Sequence, residues 1–377
     1  MKEAAIMKKV IAAGHICLDI TPVFSDQRGY TSVSEALVPG RLVRMEAPSV
    51  HTGGSVANTG LALKILGNDV TLLGKVGDDA FGGIIQNILK GYGAGGLIVD
   101  PHGSTSYSVV LAIPGIDRIF LHNPGANDTF SAADIPEEVL ADAVLFHFGY
   151  PPLMRKMYEN RGLELVSLFR RVHGLGIATS LDLAAVDPQS EAGRIDWRSI
   201  LAAVLPDVDF FMPSFEELCF MLNRPLYHAL AEAGSDMTCL PGILQAAEKL
   251  AEECLAMGCA AVLVKCGLSG MICRTGLRER ITRVGSRLDL DPGAWTEQSV
   301  IQPCFQAETV CSTGAGDVSI AAYLTALLNG ESPEACARLA AAEGAASVTS
   351  YDALGGILPL EELKRRITDG WKTMEDR

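Results

Sequence analysis

Short apolar runs alternate with longer stretches of helical spacing along this chain. Val10 to Ala13 forms a continuous apolar run of strand length. Ser55 to Leu66 carries helical periodicity and stops at Gly67-Asn68, and Val70 to Leu73 returns to strand character. The alternation continues as strand Ala143 to His147, helix Leu153 to His173 and strand Ile177 to Leu181. Helix Trp197 to Leu205, strand Phe210 to Met212, helix Leu244 to Met257 and strand Ala261 to Val264 complete it. Uninterrupted apolar strands separated by helices predict an α/β fold: a mainly parallel central sheet with helices on both faces. In such sheets ligands gather at the carboxyl ends of the strands.

Two segments, residues 20–50 and 104–123, break this rhythm with β-branched residues, Ser and Thr. Within the second, Ser104 to Ile113 and Arg118 to His122 predict two strands joined by the turn Pro114-Gly115-Ile116-Asp117. These segments are read as a small β-lid, an ordinary surface hairpin being the plain alternative. Residues 276–307 form a third irregular stretch with a turn at Asp291-Pro292-Gly293. Neither an internal repeat nor a low-complexity tract is present, and residues 1–377 read as one domain.

The richest chemistry lies in Cys311-Ser312-Thr313-Gly314-Ala315-Gly316-Asp317, between a predicted strand at Glu308 to Val310 and an apolar helical segment from Val318. Small residues before a helix leave unpartnered N–H groups and the positive end of the macrodipole to meet an anion. Asp317 adds a carboxylate able to take a proton from a hydroxyl. Phosphoryl transfer to an alcohol needs both, although a short glycine turn is also an everyday connection.

Four further clusters sit at predicted strand ends. His51-Thr52-Gly53-Gly54-Ser55-Val56-Ala57-Asn58 opens a helix, and its glycines let a polyhydroxylated ligand approach the backbone. Asn58 carries a donor and an acceptor for sugar hydroxyls, and Asp19 offers acceptors after the first strand. Gly74 to Gly82 lacks a Gly-Lys-Ser/Thr ending and is read as a turn, with Asp78 capping the next helix. Ser214 and Glu217 have capping-box spacing, and Glu217 is also placed to organise water and Mg²⁺ near phosphates. Lys265, Gly267 and Gly270 form a strand-end loop suited to a nucleotide.

Bulk properties narrow the partners. The 377 residues are 48 % hydrophobic, 20 % charged and 6 % aromatic, enough for a sizeable core. A formal net charge of −14 without a basic block disfavours nucleic acid or an anionic membrane as partner. Ten scattered cysteines without a C-x-x-C pair predict reduced thiols in a cytoplasmic protein. No run of about 18 uncharged apolar residues predicts a membrane span.

Taken in order, Gly53-Gly54 with Asn58, Lys265-Cys266-Gly267-x-x-Gly270 and Thr313-Gly314-Ala315-Gly316-Asp317 make the sequence resemble the ribokinase-like carbohydrate kinases (the phosphofructokinase-B family) over roughly residues 8–370. The resemblance implies an α/β sandwich whose β-lid often forms a homodimer interface. It implies ATP with Mg²⁺ and a sugar, sugar acid or polyol as acceptor. By position, Asp317 is the implied base, with the N–H groups of Gly314, Ala315 and Gly316 as the anion hole. Asp19, Gly53, Gly54 and Asn58 are implied to hold the acceptor. Ser214, Lys265, Gly267, Gly270 and Thr313 fall to the nucleotide, and Glu217 to the metal through water.

Three positions depart from the family pattern. Ser214 replaces the usual Asn, Cys311 an Asp that helps bind a monovalent cation in some relatives, and Ser319 an aromatic residue. A thiol is a poor ligand for K⁺, which prefers hard oxygen donors, so strong K⁺ dependence is not expected. A nucleoside kinase is the alternative, and a sugar-binding sensor without turnover is the reading of another class. Arg118 is read as a solvated lid charge, an acidic-sugar partner being the other option.

Overall fold

The computed structural model describes residues 8–26, 28–116, 118–234 and 237–376. In chain order its strands are β1 (Lys9–Gly14), β2 (Cys17–Thr21), β3 (Ser49–Gly53), β4 (Asp69–Leu73), β5 (Lys75–Gly77), β6 (Ile98–Asp100) and β7 (Tyr107–Leu111). They continue as β8 (Ile119–Asn123), β9 (Ala143–Gly149), β10 (Ala178–Leu181), β11 (Phe210–Phe211), β12 (Ala261–Lys265), β13 (Met271–Thr275) and β14 (Ser299–Gln302).

Eight of them form the central sheet in the order β14-β13-β12-β11-β10-β9-β1-β4. The six from β12 to β4 run parallel, and β13 and β14 add an antiparallel edge. The mainly parallel sheet read from the apolar runs is therefore present. Alternate side chains of β1 enter opposite layers: Val10 and Ala12 pack in one core, Ile11 and Ala13 in the other. Burial on both faces explains why these strands read as continuous apolar runs. The helices Ser55–Ile65, Ala315–Leu328 and Pro333–Ser347 cover the first face. The helices Arg155–Gly174, Trp197–Val204, Phe215–Leu222 and Ile243–Met257 cover the second.

From β1 the chain goes outward to β4 on one side and later returns to β9 on the other. The strand order thus reverses beside β1, with Gly14 paired to Gly149 at the carboxyl ends. Such a reversal leaves a crevice at the strand ends. A separate four-stranded sheet, β3-β2-β7-β8, is the lid. Its last two strands form the antiparallel hairpin read from residues 104–123; Asp117, in the expected turn, lies outside the described residues.

Local expectations changed in several places. Residues 308–310 are not a strand: the N–H groups of Val310 and Cys311 both bond to the Val348 carbonyl instead. The irregular stretch 276–307 contributes β14 and the short helices Arg278–Ile281 and Pro292–Trp295, the second capped by Asp291. Asp79 rather than Asp78 caps the helix Ala80–Gly91, accepting from the Gly82 N–H at 2.9 Å. The helix expected over 153–173 is broken at Glu159–Gly162, where Asn160 and Arg161 take positive φ. Among the described residues no helix is long and apolar enough to cross a membrane.

Candidate active site

Asp317 sits in the first turn of Ala315–Leu328, a helix buried on all sides from Asp317 to Leu328. Gly314 precedes it as N-cap with φ 79°, a left-handed conformation costly for residues with a Cβ. A Cβ there would also lie 2.3 Å from that of Ala353. The Asp317 carboxylate is 4 % exposed and held by three donors. Asn58 Nδ2 and the Tyr150 hydroxyl donate to Oδ2 at 3.0 and 2.7 Å, and Thr59 Oγ1 donates to Oδ1 at 3.0 Å. Asn58 and Thr59 are neighbours on the helix Ser55–Ile65, whose start is set by Gly54 at φ 87°.

Beside this turn lies Lys265, at the end of β12. Its Nζ donates to Asp182 Oδ1 at 2.8 Å and stands 3.7 Å from where a Cβ of Gly316 would be. Burial opposes the lysine charge, but Asp182 and Glu217 outweigh it and hold Lys265 above its ordinary pKa. Burial pushes the Asp182 carboxyl up, with Lys265 opposing and the carboxylates of Glu217 and Asp317 adding to the rise. Glu217 completes the expected capping box: its Oε2 accepts from the Ser214 N–H at 2.8 Å, and Ser214 Oγ accepts from the Glu217 N–H at 3.3 Å.

A cavity of about 600 Å³ opens against the Gly314–Gly316 turn, lined by Ser214, Lys265, Gly267, Gly270, Ala315 and Gly316 among others. Glu216 rather than Glu217 reaches its wall. Gly270 lies at φ 95°, and a Cβ there would meet the Gln302 carbonyl at 2.2 Å, so the loop closes tightly against β14. Thr313 is absent from this wall. Its hydroxyl instead accepts from Arg118 Nη1, while Arg118 Nη2 lies 3.3 Å from Cys311 Sγ. Arg118 is an exposed lid charge, as expected, and it also bridges the lid to the loop before Gly314. Beside Thr313 and Arg118, the Cys311 thiol is held below its ordinary pKa against the opposing effect of burial.

On the lid side, strand register lines up His51, Asp19, Ser108 and His122 across β3, β2, β7 and β8. Asp19 thus belongs to a lid strand. A Cβ on Gly53 would meet its Oδ2 at 2.1 Å, so the glycine leaves the carboxylate room. Burial raises the Asp19 pKa, opposed by hydrogen bonds from Cys17 and Ser108. His15 follows β1, its ring 5.4 Å from that of His122 and 6.1 Å from that of Tyr150. It is 2 % exposed, neither ring nitrogen has a partner, and burial drives its pKa down to about 3. His122 is likewise lowered by burial. Two neutral imidazoles and a carboxylate suit hydroxyl groups, which both donate and accept.

Residues 8–359 match the family model for the pfkB family carbohydrate kinases. The chain belongs to that family. This pfkB family member is 28 % identical over 225 residues to Fructokinase-2 of Oryza sativa subsp. japonica, covering 58 % of this chain and 61 % of the relative. It is 31 % identical over 176 residues to Fructokinase-1 of Zea mays, covering 46 % and 50 %. The chain thus spans between half and 61 % of the length of these curated relatives. Its fold is similar to that of a fructokinase with bound ATP from Xylella fastidiosa (TM-score 0.70, 19 % identity, 97 % of this chain and 100 % of that one). It is also similar to an Arabidopsis thaliana ribokinase complexed with ribose and ATP (TM-score 0.67, 20 % identity, 95 % and 98 %).

In this family member the structure brings together Asp317, Asn58 and the 314–316 turn, with Ser214, Lys265, Gly267 and Gly270 around the cavity beside them. Asn58, expected on the acceptor, donates to Asp317. Four residues of the site carried no motif: His15, Thr59, Tyr150 and Asp182. Three of these directly follow β1, β9 and β10, so position at a strand's carboxyl end was the signal that pointed to them.

Proposed function

We propose that this chain transfers the γ-phosphoryl group of ATP to a hydroxyl of a small sugar or polyol. One observation carries the reading: Asp317 lies in the first turn of a helix whose N-terminal residues Ala315 and Gly316 line the 600 Å³ cavity, and Tyr150 and His15 lead from it towards the polar row of the lid. The cavity takes the nucleotide, with its phosphates towards Lys265 and the 314–316 turn. The acceptor lies under the lid near Asp19, His15 and His122. The acceptor O–H bond breaks, its proton passes to Asp317, its oxygen bonds to phosphorus, and the bond to ADP breaks. The main-chain N–H groups of Gly314 and Gly316 receive the charge on the transferring oxygens, and that of Ala315 joins them only by leaving the Ser312 carbonyl, to which it donates at 3.2 Å.

Among the described residues no three His, Cys, Asp or Glu side chains could hold a metal ion. Mg²⁺ needs no such cluster, since it keeps several waters and binds through substrate phosphates and one or two carboxylates. Asp182 and Glu217, both close enough to raise Lys265, are the carboxylates in reach, and Mg²⁺ supplies charge neutralisation on the phosphates when bound. Pairing of two copies through the lid belongs to the same reading and is tested by the oligomeric state in solution.

An acceptor-dependent ADP-release assay across hexoses, pentoses, sugar acids, polyols and nucleosides tests the assignment. Turnover confined to nucleosides reverses the acceptor class, and ligand binding with no turnover on any of them favours a sensor. Asp317→Asn is expected to keep acceptor affinity by calorimetry and lose about 10²–10⁴-fold in kcat, the usual size of general-base catalysis. A variant as fast as the wild type removes Asp317 as base.

A further inference from the structure

At the carboxyl end of β9 the chain turns at Tyr150 with φ 68° and ψ 41°. Left-handed backbone is uncommon for a residue with a β-carbon. It is doubly so here, because Pro151 follows and a proline pushes the residue before it towards extended ψ. Conformations of this kind persist where the surroundings over-determine them, and they gather at working sites. What the turn achieves is visible: it delivers the phenol hydroxyl to Asp317 Oδ2 at 2.7 Å, the length of a charge-assisted O–H···O bond.

The other two donors to Asp317, Asn58 and Thr59, are buried, whereas Tyr150 keeps partial exposure. Its ring also faces the acceptor side, 6.1 Å from His15, which in turn neighbours His122 of the lid. The rings of His122, His15 and Tyr150 and the Asp317 carboxylate therefore form a continuous line from the lid to the base. Oδ2 already accepts two hydrogen bonds, from Asn58 and Tyr150, which occupies both of its lone pairs. At Oδ2 an incoming hydroxyl can therefore reach the carboxylate only through the phenol; Oδ1, which among the described residues accepts from Thr59 alone, is the direct route that the relay competes with. The phenol oxygen can receive it: among the described residues no donor reaches that oxygen, and a hydroxyl accepts as well as donates.

We propose that Tyr150 is a catalytic residue that relays the acceptor's proton to Asp317. The proposal rests on the kinase reading above and adds the route. The acceptor hydroxyl donates to the phenol oxygen while the phenol donates to Oδ2. As the acceptor oxygen bonds to phosphorus and ADP leaves, the acceptor O–H bond breaks and its proton joins the phenol oxygen. In the same event the phenol's original proton moves to Asp317. Tyr150 ends as it began, and no oxidant or reductant takes part. Burial, together with the nearby carboxylates of Asp317, Asp182 and Glu217, holds the phenol pKa well above its ordinary value. Tyr150 thus acts as a protonated conduit and not as a phenolate base.

The test is a single-turnover assay with the best acceptor from the panel, run on the wild type in H₂O/D₂O mixtures and on Tyr150→Phe. Two protons in flight are expected to give a bowed dependence of the wild-type rate on deuterium fraction. Tyr150→Phe removes only one oxygen; it is expected to keep ATP affinity and to lose about 10²–10⁴-fold in the chemical step. Because the two groups act in series, Tyr150→Phe combined with Asp317→Asn is expected to be no slower than the slower single variant. A straight wild-type dependence overturns the relay without any variant. So does a Tyr150→Phe enzyme within about threefold of the wild type, which makes the phenol a plug that acceptors displace. A wild type inert towards every acceptor defeats the kinase reading itself; an active wild type with a straight dependence defeats the relay alone.

Discussion

Glu343 is fully buried on the helix Pro333–Ser347, with Oε1 accepting from the Leu358 N–H at 2.8 Å and Oε2 without a partner. Burial, only partly offset by that N–H and by Arg366, pushes its pKa up to about 8 from an ordinary value of 4.5. The folded state therefore binds a proton that the unfolded chain has lost between those two values. Stability from this group is fully present below about pH 4.5 and falls as pH rises towards 8, by about 1.4 kcal/mol per unit mid-window. Glu343→Gln keeps an oxygen for Leu358 and is expected to flatten this slope and raise Tm at pH 8, measured by calorimetry across pH 5–8. An unchanged slope would mean that water already solvates the carboxyl. At this scale Asp317 was legible because its glycine turn is a local pattern. Its partners were not: Thr59 and Tyr150 lie 258 and 167 residues away, and no spacing rule links them.

Elements were read well where periodicity ran long and poorly where a single residue or a partner strand decided. The run Val10 to Ala13 is β1 because it is apolar on both faces. Glu308 to Val310 has strand-like residues, but it pairs with no strand and the Val310 N–H goes to the Val348 carbonyl. Cap selection between Asp78 and Asp79 turned on one residue of phase. The register of β2 against β3 sets Gly53 opposite Cys17 and beside the Asp19 carboxylate. Gly53→Ala forces a methyl to within 2.1 Å of Asp19 Oδ2. Overpacking of this kind costs about 1–3 kcal/mol, so the acceptor KM is expected to rise about tenfold or more while the ATP KM stays. Steady-state kinetics with each substrate varied checks this, and an unchanged acceptor KM takes Asp19 out of the acceptor site.

For the whole molecule, the decisive contact joins lid and core. Arg118, just before β8, reaches Thr313 and Cys311 in the loop before Gly314. A protein of formal charge −14 thereby carries a guanidinium beside its Gly314–Gly316 turn. Hydrogen bonds to charged groups are worth about 1.5–3 kcal/mol, so Arg118→Ala is expected to lower kcat/KM by about 10–100-fold, with Tm little changed. A ratio within about twofold of the wild type in the same assay means that lid closure does not act through this arginine.

The amino-acid order alone determined the α/β layering, the lid hairpin and the glycine turn that sets Asp317 at a helix start. Those depend on periodicity, glycine placement and helix-end chemistry, which act over a few residues. Tertiary structure decided which groups face that carboxylate, that Lys265 pairs with Asp182, that His15 is buried without a partner and that Arg118 crosses from lid to loop. These depend on strand order and on burial. The reversal beside β1 brings Tyr150 and His15 together across some 135 residues of chain, and only the folded interior removes the water that would otherwise satisfy them.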